Sequence, residues 1–428
     1  MSTTDSTSAD GFWHSKEAVA RRKKRHAADR RLRLLGIGAI STAIGLLGIL
    51  IVSLVSTGYQ AFVQTEIALP IEIDPSEVDA ANPSKGDYRD IIQAALKAEF
   101  PDVADADLRQ LEQMLTRNAQ FIVRDRVISN PSLIGQRVTF DIPMADPIDQ
   151  LNKGVISAET PEDRRRVSDV QVKLFDEMKE SGLVSTPFNW GLFFNADSRF
   201  PELAGLSGAI VGSFYALLVC FFISFPVGIA AAVYLEEFAP KNRITDVIEV
   251  NINNLAAVPS VVFGLLGLAV FLNFFGLPRS APLVGGLVLS LMTLPTMIIV
   301  TRAALKAVPP SIREGALGVG ASKHQVITHH VLPLALPGIL TGTILGLAQA
   351  LGETAPLLLI GMNAFITSPP GGLLDPATAL PTQIFIWADS PERGFVARTS
   401  AAILVLLGFL ITMNMIAIFL RSRLERRW

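Results

Sequence analysis

The sequence predicts an α-helical polytopic membrane protein with six spans and a small, mostly helical domain with some strand between the first two spans. Three observations indicate this class. The 428 residues are 50% hydrophobic and 18% charged, with a mean hydropathy of +0.41, which is too apolar for an ordinary soluble protein. Six apolar runs are long enough to cross about 30 Å of hydrocarbon. Charged residues are also distributed unevenly between the segments that flank these runs.

The six predicted spans each hold about 20 residues or more with few charges, the length that a transmembrane helix needs. The first span is too long and too evenly apolar for a cleaved signal peptide, so we expect it to be retained. An even number of spans places the two termini on the same side of the membrane. The predicted spans are residues 34–55, 206–235, 252–275, 283–301, 334–361 and 399–420.

The charge distribution predicts the orientation. Residues 1–33 hold 9 Lys and Arg against 4 Asp and Glu, and the segment 421–428 is again basic. Basic flanks stay in the cytoplasm, so we expect both termini inside. Residues 56–204 hold 25 Asp and Glu against 15 Lys and Arg, and this acidic excess is then extracytoplasmic. Topology and solubility explain it better than a docking role.

The predicted extracytoplasmic domain, residues 56–204, shows helical spacing of apolar residues in three segments. Pro101 and Pro161 open the second and third segments, as expected near the start of a helix. The run "GQRVTFDIPM" alternates like a short strand. No histidine, metal-ligand spacing or nucleophile motif indicates a function for this domain. The three helical segments are residues 88–100, 106–123 and 161–182.

Prolines interrupt the predicted membrane half, which extends over residues 205–425. A proline removes a backbone donor that lipid cannot replace, and such breaks are tolerated where protein or a water-filled cavity satisfies the freed carbonyls. They favour a bundle with a pathway, although ordinary kinks remain an alternative at each position. The prolines within or at the edges of spans are Pro226, Pro259, Pro295 and Pro356.

The longest polar loop in this half, about residues 303–333, is expected in the cytoplasm. Pro309 and Pro310 suit the start of a short helix, and Gly320 can take the left-handed conformation that ends one. Ser322 can then cap a second helix. The sequence therefore predicts a helix, a sharp turn and a helix that project from the membrane.

This loop resembles the coupling loop of ABC importer permeases, in which Glu-Ala-Ala, three residues and Gly precede a Leu-Pro pair. The matching positions here are Glu314, Ala316 and Gly320, followed by "LP" at 332–333. Gly315 stands where the family has alanine, which lowers the local helix propensity. The corresponding residues are expected to contact a partner ATPase.

The strings "AVPSVVFGLLGLAVF", "REGALGVG" and "LGETAPLLL" narrow the resemblance to the A-type permease of the Pst phosphate importer, over about residues 200–425. This resemblance implies an inner-membrane complex that imports inorganic phosphate. The implied partners are a sister permease, an ATPase dimer that binds ATP and Mg, and an extracytoplasmic phosphate-binding protein. No cofactor of this chain itself and no nucleic-acid partner is expected.

Other classes of function remain as alternatives. The sequence contains no GxxxxGK[ST], so ATP hydrolysis is expected in a partner, and no HExxH or GxSxG indicates an enzyme. A secondary anion transporter would explain broken helices and an intramembrane carboxylate, but it would not need the coupling-loop spacing. A permease for another oxyanion, and a sensor or membrane anchor, are further alternatives.

One carboxylate, Glu353, lies in the apolar run 347–362, where an unpaired charge is costly. An anionic substrate would be repelled by a bare carboxylate, so we expect Glu353 to pair with an arginine, whose planar fork binds carboxylate or phosphate. Arg302 and Arg279 are the candidates in this chain, and a sister subunit could supply another. We hypothesise a gate in which an arginine alternates between Glu353 and phosphate.

Overall fold

A computed structural model describes residues 16–80, 82–101, 103–104 and 107–424. The predicted basic segments extend into residues 1–15 and 425–428, which lie outside the described residues. The chain forms two compact units, Met1–Ser56 and Thr57–Trp428.

The first unit is built around one long helix, α1, Lys16–Gly58. It contains the basic block at its start and the predicted span 34–55, and a 3-10 turn, Tyr59–Phe62, follows it. The stretch Val19–Phe62 is long and apolar enough to cross a membrane. The first predicted span is therefore confirmed as a helix that begins well before the apolar run.

The domain between the first two spans, residues 57–204, is called the inter-span domain below. Its centre is an antiparallel sheet with strand order β2-β1-β3. On β1 the side chains of Ile67, Leu69 and Ile71 alternate into a fully buried core, and Leu69 lies opposite Phe140 of β2. The alternating run predicted as a strand is confirmed as β2, whereas β1 and β3 were not predicted. The strands are β1, Glu66–Glu72; β2, Arg137–Pro143; and β3, Val184–Ser185.

The helices of this domain correct the second and the third predicted segments. The second predicted segment is two helices, because residues 113–118 leave the helical conformation between them. The third helix begins at Asp169, where Ser168 and Gln171 form a reciprocal capping box; Pro161 precedes only a 3-10 turn. Local capping therefore decides the start of the third helix. The helices are α2, Tyr88–Glu99; α3, Leu108–Glu112; α4, Ala119–Ser129; α5, Asp146–Asn152; α6, Asp169–Glu180; and α7, Gly191–Phe194.

Four long helices form most of the membrane half, and they confirm the predicted spans 206–235, 283–301 and 399–420. Pro226 and Pro295 lie inside helices without ending them. The fourth long helix, α14, ends at Gly352, so the predicted span 334–361 is wrong at its end. These helices are α8, Ser207–Val233; α11, Pro282–Lys306; α14, Leu332–Gly352; and α17, Gly394–Leu424.

The predicted span 252–275 is wrong as one straight helix. Two helices bend by 99° across the break at 257–259. Pro259 disfavours a helical conformation in the residue before it and lacks the backbone donor that would continue the helix. Among the described residues, five helices are long and apolar enough to span a membrane, and this bent pair raises the number to six. The pair is α9, Arg243–Ala256, and α10, Ser260–Gly267, with a π-helical continuation to Phe274.

The remaining helices are short and lie between the long ones. A buried cluster that contains Cys220 of α8, Val288 of α11 and Leu357 joins three of these elements in one core. The short helices are α12, Pro310–Gly318; α13, Lys323–Gln325; α15, Ala355–Leu359; and α16, Leu380–Ala388.

Candidate coupling surface and translocation segment

The loop that carries the predicted coupling residues folds as expected from its sequence. Pro310 is the first residue of α12, and Gly320 has φ = +89° beyond its end. The backbone N–H of Ala321 donates to Ala316 O (3.1 Å), and that of Gly320 donates to Leu317 O (3.0 Å). These two bonds are the Schellman arrangement that satisfies the last carbonyls of a helix. The predicted glycine turn is confirmed.

The second helix of the loop also starts where predicted. The hydroxyl of Ser322 accepts from the backbone N–H of Gln325 (3.3 Å), and the Gln325 side chain accepts from the backbone N–H of Ser322 (2.9 Å). This reciprocal pair begins α13, which continues through a π-helical segment, Val326–Val331, into α14. The loop is therefore rigidly connected to a long apolar helix.

The tip of this loop presents side chains to the exterior. Val319 is 87% exposed and Leu317 is 52% exposed, whereas Ala316 packs into a buried cluster. Glu314 and Gly315 are exposed. Apolar side chains that remain exposed on a short, capped helix are typical of a surface that a partner covers.

Arg313 fastens the tip to the end of α8. Its guanidinium donates to the Glu237 carboxylate (2.8 Å) and to the backbone oxygens of Val308 (2.7 Å) and Leu305 (2.9 Å). Glu237 lies in the π-helical turn Tyr234–Phe238, which directly follows α8. One arginine thus joins α12, the end of α11 and the end of α8.

Arg302, a predicted gate residue, does not pair with Glu353, the partner that the sequence suggested. Its guanidinium donates to the carboxylates of Glu249 (2.6 Å) and Glu236 (3.3 Å), and Lys306 lies 3.5 Å from Glu236. These ion pairs connect α11 to the turn after α8 and to α9. It does not bring Arg302 to Glu353.

Glu353 lies directly after the end of helix α14 and not inside a helix. It directly follows Gly352, and its ψ of 117° takes the chain out of the helical conformation. The residue is partly exposed, and the described part of the chain offers its carboxylate no ion pair. A carboxylate at a helix break with access to solvent is less costly than one inside an apolar helix.

The segment after Glu353 packs against the other broken helix. A Cβ on Gly264 of α10 would lie 2.7 Å from Cα of Pro356, so only glycine permits this approach. Pro356 and Leu357 of α15 are buried. The strings "AVPSVVFGLLG" and "GETAPLLL" are thus in direct contact, although about 90 residues separate them in the sequence.

Arg279, the other predicted gate arginine, is exposed in a turn before α11. The adjacent Ser280 has φ = +61°, and its hydroxyl donates to Gly361 O (2.5 Å). The turn therefore contacts the chain just beyond α15, while Glu353 lies just before α15. Neither predicted arginine is paired with Glu353.

The sequence of the membrane half is similar to those of known transport proteins. Residues 224–428 match the family described as "Binding-protein-dependent transport system inner membrane component". The chain is 30% identical over 257 residues to "Probable ABC transporter permease protein YqgI" of Bacillus subtilis, covering 56% of this chain and 85% of that protein. It is 32% identical over 226 residues to "Phosphate transport system permease protein PstA" of Xylella fastidiosa, covering 52% and 77%.

The chain belongs to this family of ABC transporter permeases. It is a multi-pass inner-membrane transport subunit. Residues 19–162 match a second family, described as "Domain of unknown function (DUF3333)". Among solved structures, "Inward facing conformations of the MetNI methionine ABC transporter" is similar over 51% of this chain and 97% of that chain, at 17% identity and a TM-score of 0.39.

A further arginine joins the inter-span domain to the last helix of the permease. Arg398 of α17 is only 5% exposed, and its guanidinium donates to the backbone oxygens of Ala204 (2.7 Å) and Glu202 (3.1 Å). The carboxyl of Asp146, at the start of α5, contacts Gly394, the first residue of α17. A negative charge at the start of a helix is favourable because the exposed N–H groups point towards it.

The contact of Arg398 with the inter-span domain, called the junction below, contains buried ionisable groups whose pKa values are shifted. Burial raises the pKa of the Glu202 carboxyl and of the Asp146 carboxyl above their usual range, and the Arg398 charge partly opposes both shifts. The Thr116 hydroxyl donates to Glu202 (2.9 Å). Burial also lowers the pKa of Lys153, whose ammonium lies 2.5 Å from the Asp149 carboxylate. The junction is a buried polar network that includes charged groups from both parts of the chain.

The sequence offered signals for the residues that prediction missed. Arg398 lies just before the last predicted span, at the end of that span that is expected on the extracytoplasmic side. A basic residue there is unusual, because basic residues flanking spans are found mainly in the cytoplasm. Glu236 and Glu237 follow directly after an apolar run, as "YLEEF". Consecutive carboxylates at the end of a span are expected to have cationic partners.

Proposed function

We propose that this permease is the membrane subunit of an ATP-driven importer of inorganic phosphate. The relatives named as phosphate transport permeases, with 32% identity over most of their length, are the observation that carries this proposal. The exposed, capped tip at Leu317 and Val319 supports a role in docking a partner ATPase. ATP and Mg would bind to that ATPase, so this chain needs no cofactor of its own.

We also propose a side of the membrane for each part of the chain and for each partner. The coupling loop and both termini face the cytoplasm, and the inter-span domain is extracytoplasmic. A sister permease completes the pathway, two ATPase copies dock from inside, and a phosphate-binding protein delivers the anion from outside. The basic block at the start of α1 supports this orientation.

The transport path is proposed to pass the two broken helices where Gly264 and Pro356 meet. Breaks in membrane helices expose backbone groups that can line a pathway. Glu353, at the mouth of one break, is proposed to act as a gate residue with an arginine partner in another state of the transporter. Arg302 is one candidate for this partner, and it would first have to break its ion pairs with Glu236 and Glu249. Arg279 is the other candidate in this chain, and its side chain is exposed.

Uptake of labelled phosphate tests the proposal. The chain is co-expressed with its neighbouring transport genes in cells that lack other phosphate importers. We expect uptake that requires this chain and the ATPase, and that excess sulfate does not inhibit. Uptake that persists without the ATPase would indicate a secondary transporter. Uptake of sulfate but not of phosphate would indicate another oxyanion.

A further inference from the structure

The inter-span domain has an aromatic edge, which is formed by Phe62, Phe188, Trp190, Phe193 and Phe194. The rings contact one another, with centroids of Phe188 and Trp190 4.9 Å apart and of Trp190 and Phe194 6.1 Å apart. Even so, Trp190 is 64% exposed and Phe194 is 72% exposed. Large aromatic side chains that cluster and stay exposed mark a surface with a partner.

The first link of this edge to the membrane is the end of a span. Phe62 is the last residue of the candidate span Val19–Phe62. The backbone N–H of Asn189 donates to Phe62 O (2.8 Å), and the Asn189 side-chain amide donates to Ala61 O (3.0 Å). The aromatic segment is therefore hydrogen-bonded to the chain at the end of the stretch that contains the first candidate span.

The second link is the start of the next span. The backbone N–H of Leu206 donates to Leu192 O (2.8 Å), and the Ser207 hydroxyl donates to Asn195 O (2.8 Å). Ser207 is the first residue of α8, which is a candidate span. The short helix α7, with Phe193 and Phe194, thus lies beside the beginning of one span while its neighbour Asn189 binds the end of another.

These two links put the aromatic edge beside the end of one candidate span and the beginning of the next, and span ends are expected near the bilayer surface. Tryptophan and other aromatic side chains are favoured there, because the ring is accommodated beside the acyl chains while polar groups reach the headgroup water. The segment "FNWGLFF", residues 188–194, contains no charged residue that would oppose such a position. We propose that the aromatic edge inserts into the headgroup and upper acyl region of the membrane and holds the inter-span domain against the lipid surface.

This proposal does not depend on the transported substrate. It assigns the edge to phospholipid and not to a protein partner, because the patch is continuous with two membrane spans. Tyr59, which is 63% exposed in the 3-10 turn just before Phe62, extends the same surface. The inter-span domain would then have two fixed points, the buried Arg398 contact with α17 and the lipid contact through Trp190.

Fluorescence quenching of Trp190 tests the proposal in the full-length chain reconstituted in nanodiscs. Trp13 and Trp428 are changed to Phe, which leaves Trp190 and Trp387. The further change Trp190→Phe leaves Trp387 alone, and the difference between the two proteins reports on Trp190. Trp387 is a matched control, since it is 2% exposed and its indole N–H donates to Asp197 (3.1 Å). Nanodiscs contain phosphatidylcholine and phosphatidylglycerol with a spin label near the headgroup or near the acyl-chain end.

We expect the headgroup-proximal label to quench Trp190 several-fold more strongly than Trp387, and more strongly than the deep label does. Acrylamide in the water should quench Trp190 only weakly. Strong acrylamide quenching without lipid quenching would overturn the proposal, because the edge would then face water. Protection from both quenchers would overturn it as well, because protein and not lipid would cover the edge.

Discussion

Two arginine-centred contacts, one beside the coupling loop and one at the inter-span domain, differ in what the guanidinium binds. Arg302 binds two carboxylates, Glu236 and Glu249, and all three side chains keep some exposure to solvent. Arg398 is almost fully buried, and its hydrogen bonds go to backbone carbonyls of the segment that leads into α8. Side-chain carboxylates can rotate away and be hydrated, whereas buried backbone carbonyls cannot.

The difference indicates different mechanical roles for the two ends of the permease. At the coupling end, the ion pairs of Arg302 with Glu236 and Glu249 join helix ends through side chains that keep some exposure to solvent. At the other end, the Arg398 network fixes α17 to the inter-span domain, so these two parts are expected to move together. A transporter that changes conformation needs both kinds of contact, because motion at one end requires a rigid body to act on.

The largest expected effect is on the fixed contact. Arg398→Leu removes the guanidinium donor from the oxygen of Ala204 and one of the two donors from the oxygen of Glu202, which also accepts from the Gln64 amide. It also removes the cation from a buried acidic cluster. We expect a loss of about 1 to 3 kcal/mol in the stability of the junction, the cost of leaving a buried hydrogen-bond acceptor unsatisfied. Thermal stability followed by fluorescence-detected size exclusion measures the loss.

The matched control is Arg393→Leu, because Arg393 is exposed only five residues earlier. Its stability should stay close to that of the parent protein. Equal losses for the two variants would show that Arg398 contributes no more than a surface arginine, and the proposed difference between the two ends would disappear.

The second effect concerns the turn that orients the coupling tip. Gly320→Ala places a side chain at φ = +89°, which costs about 1 to 2 kcal/mol for an L-residue, and Gly320→Val costs more. We expect reduced phosphate uptake and weaker co-purification of the ATPase for Gly320→Ala, and loss of both for Gly320→Val. Uptake and pull-down yields at matched expression levels measure the two effects.

Gly318→Ala provides the control for the same added methyl group. Neither Gly318 nor Gly320 has a neighbour that a Cβ would meet, but only Gly320 has a positive φ. Gly318→Ala should therefore retain uptake and stabilise α12 by about 1 kcal/mol or less. If both alanine variants behave alike, the backbone conformation of Gly320 is not what coupling requires.

The third effect concerns the gate hypothesis and the release of Arg302. Glu353→Gln keeps the size of the side chain but removes the charge that would hold an arginine. We expect normal assembly, several-fold lower phosphate uptake and ATP hydrolysis that is no longer coupled to transport. Near-normal uptake at matched protein levels would reduce Glu353 to a hydrogen-bonding residue.

A double-mutant cycle identifies the arginine. Arg302→Gln and Arg279→Gln are each combined with Glu353→Gln, and labelled-phosphate uptake is compared for single and double variants. The arginine that pairs with Glu353 in the transport cycle should show non-additive effects with it. Additive losses for both arginines would favour an arginine of the sister subunit.

Local chemistry explains why parts of the coupling surface were predictable. The positions of Pro310, Gly320 and Ser322 follow from helix-start, helix-end and capping preferences that act within a few residues. The partners of Arg302 did not follow, because Glu236 and Glu249 lie 66 and 53 residues away in the sequence. The arginine was identified, but only the packing of α8, α9 and α11 determines which carboxylates it meets.

The errors at the broken helices have a related cause. Hydropathy alone merges apolar segments, so residues 252–275 and 334–361 read as single spans although Pro259 and Gly352 mark their breaks. In the inter-span domain, β1 was missed because Pro70 interrupts its pattern and its pairing partner β2 is distant in the sequence. The strand β1 therefore depends on pairing with β2, which the local sequence pattern does not show.

The smallest effect is the pH dependence of the fixed contact. The pKa values of Glu202 and Asp146 are raised by burial in the folded chain, so the folded state binds more protons than the unfolded state just above the usual range of these carboxyls. This contribution to stability is therefore present at low pH and is lost as the pH rises through the raised pKa values. Glu202→Gln keeps the hydrogen bond with Thr116 but cannot ionise, so it should lose part of this dependence. Thermal midpoints measured between about pH 5 and 8 should give a smaller change with pH for Glu202→Gln than for the parent, while the exposed control Glu159→Gln should follow the parent. Parallel profiles for the parent and Glu202→Gln would mean that Glu202 stays ionised beside Arg398, and the fixed contact would then include a charge pair, as the contact of Arg302 does.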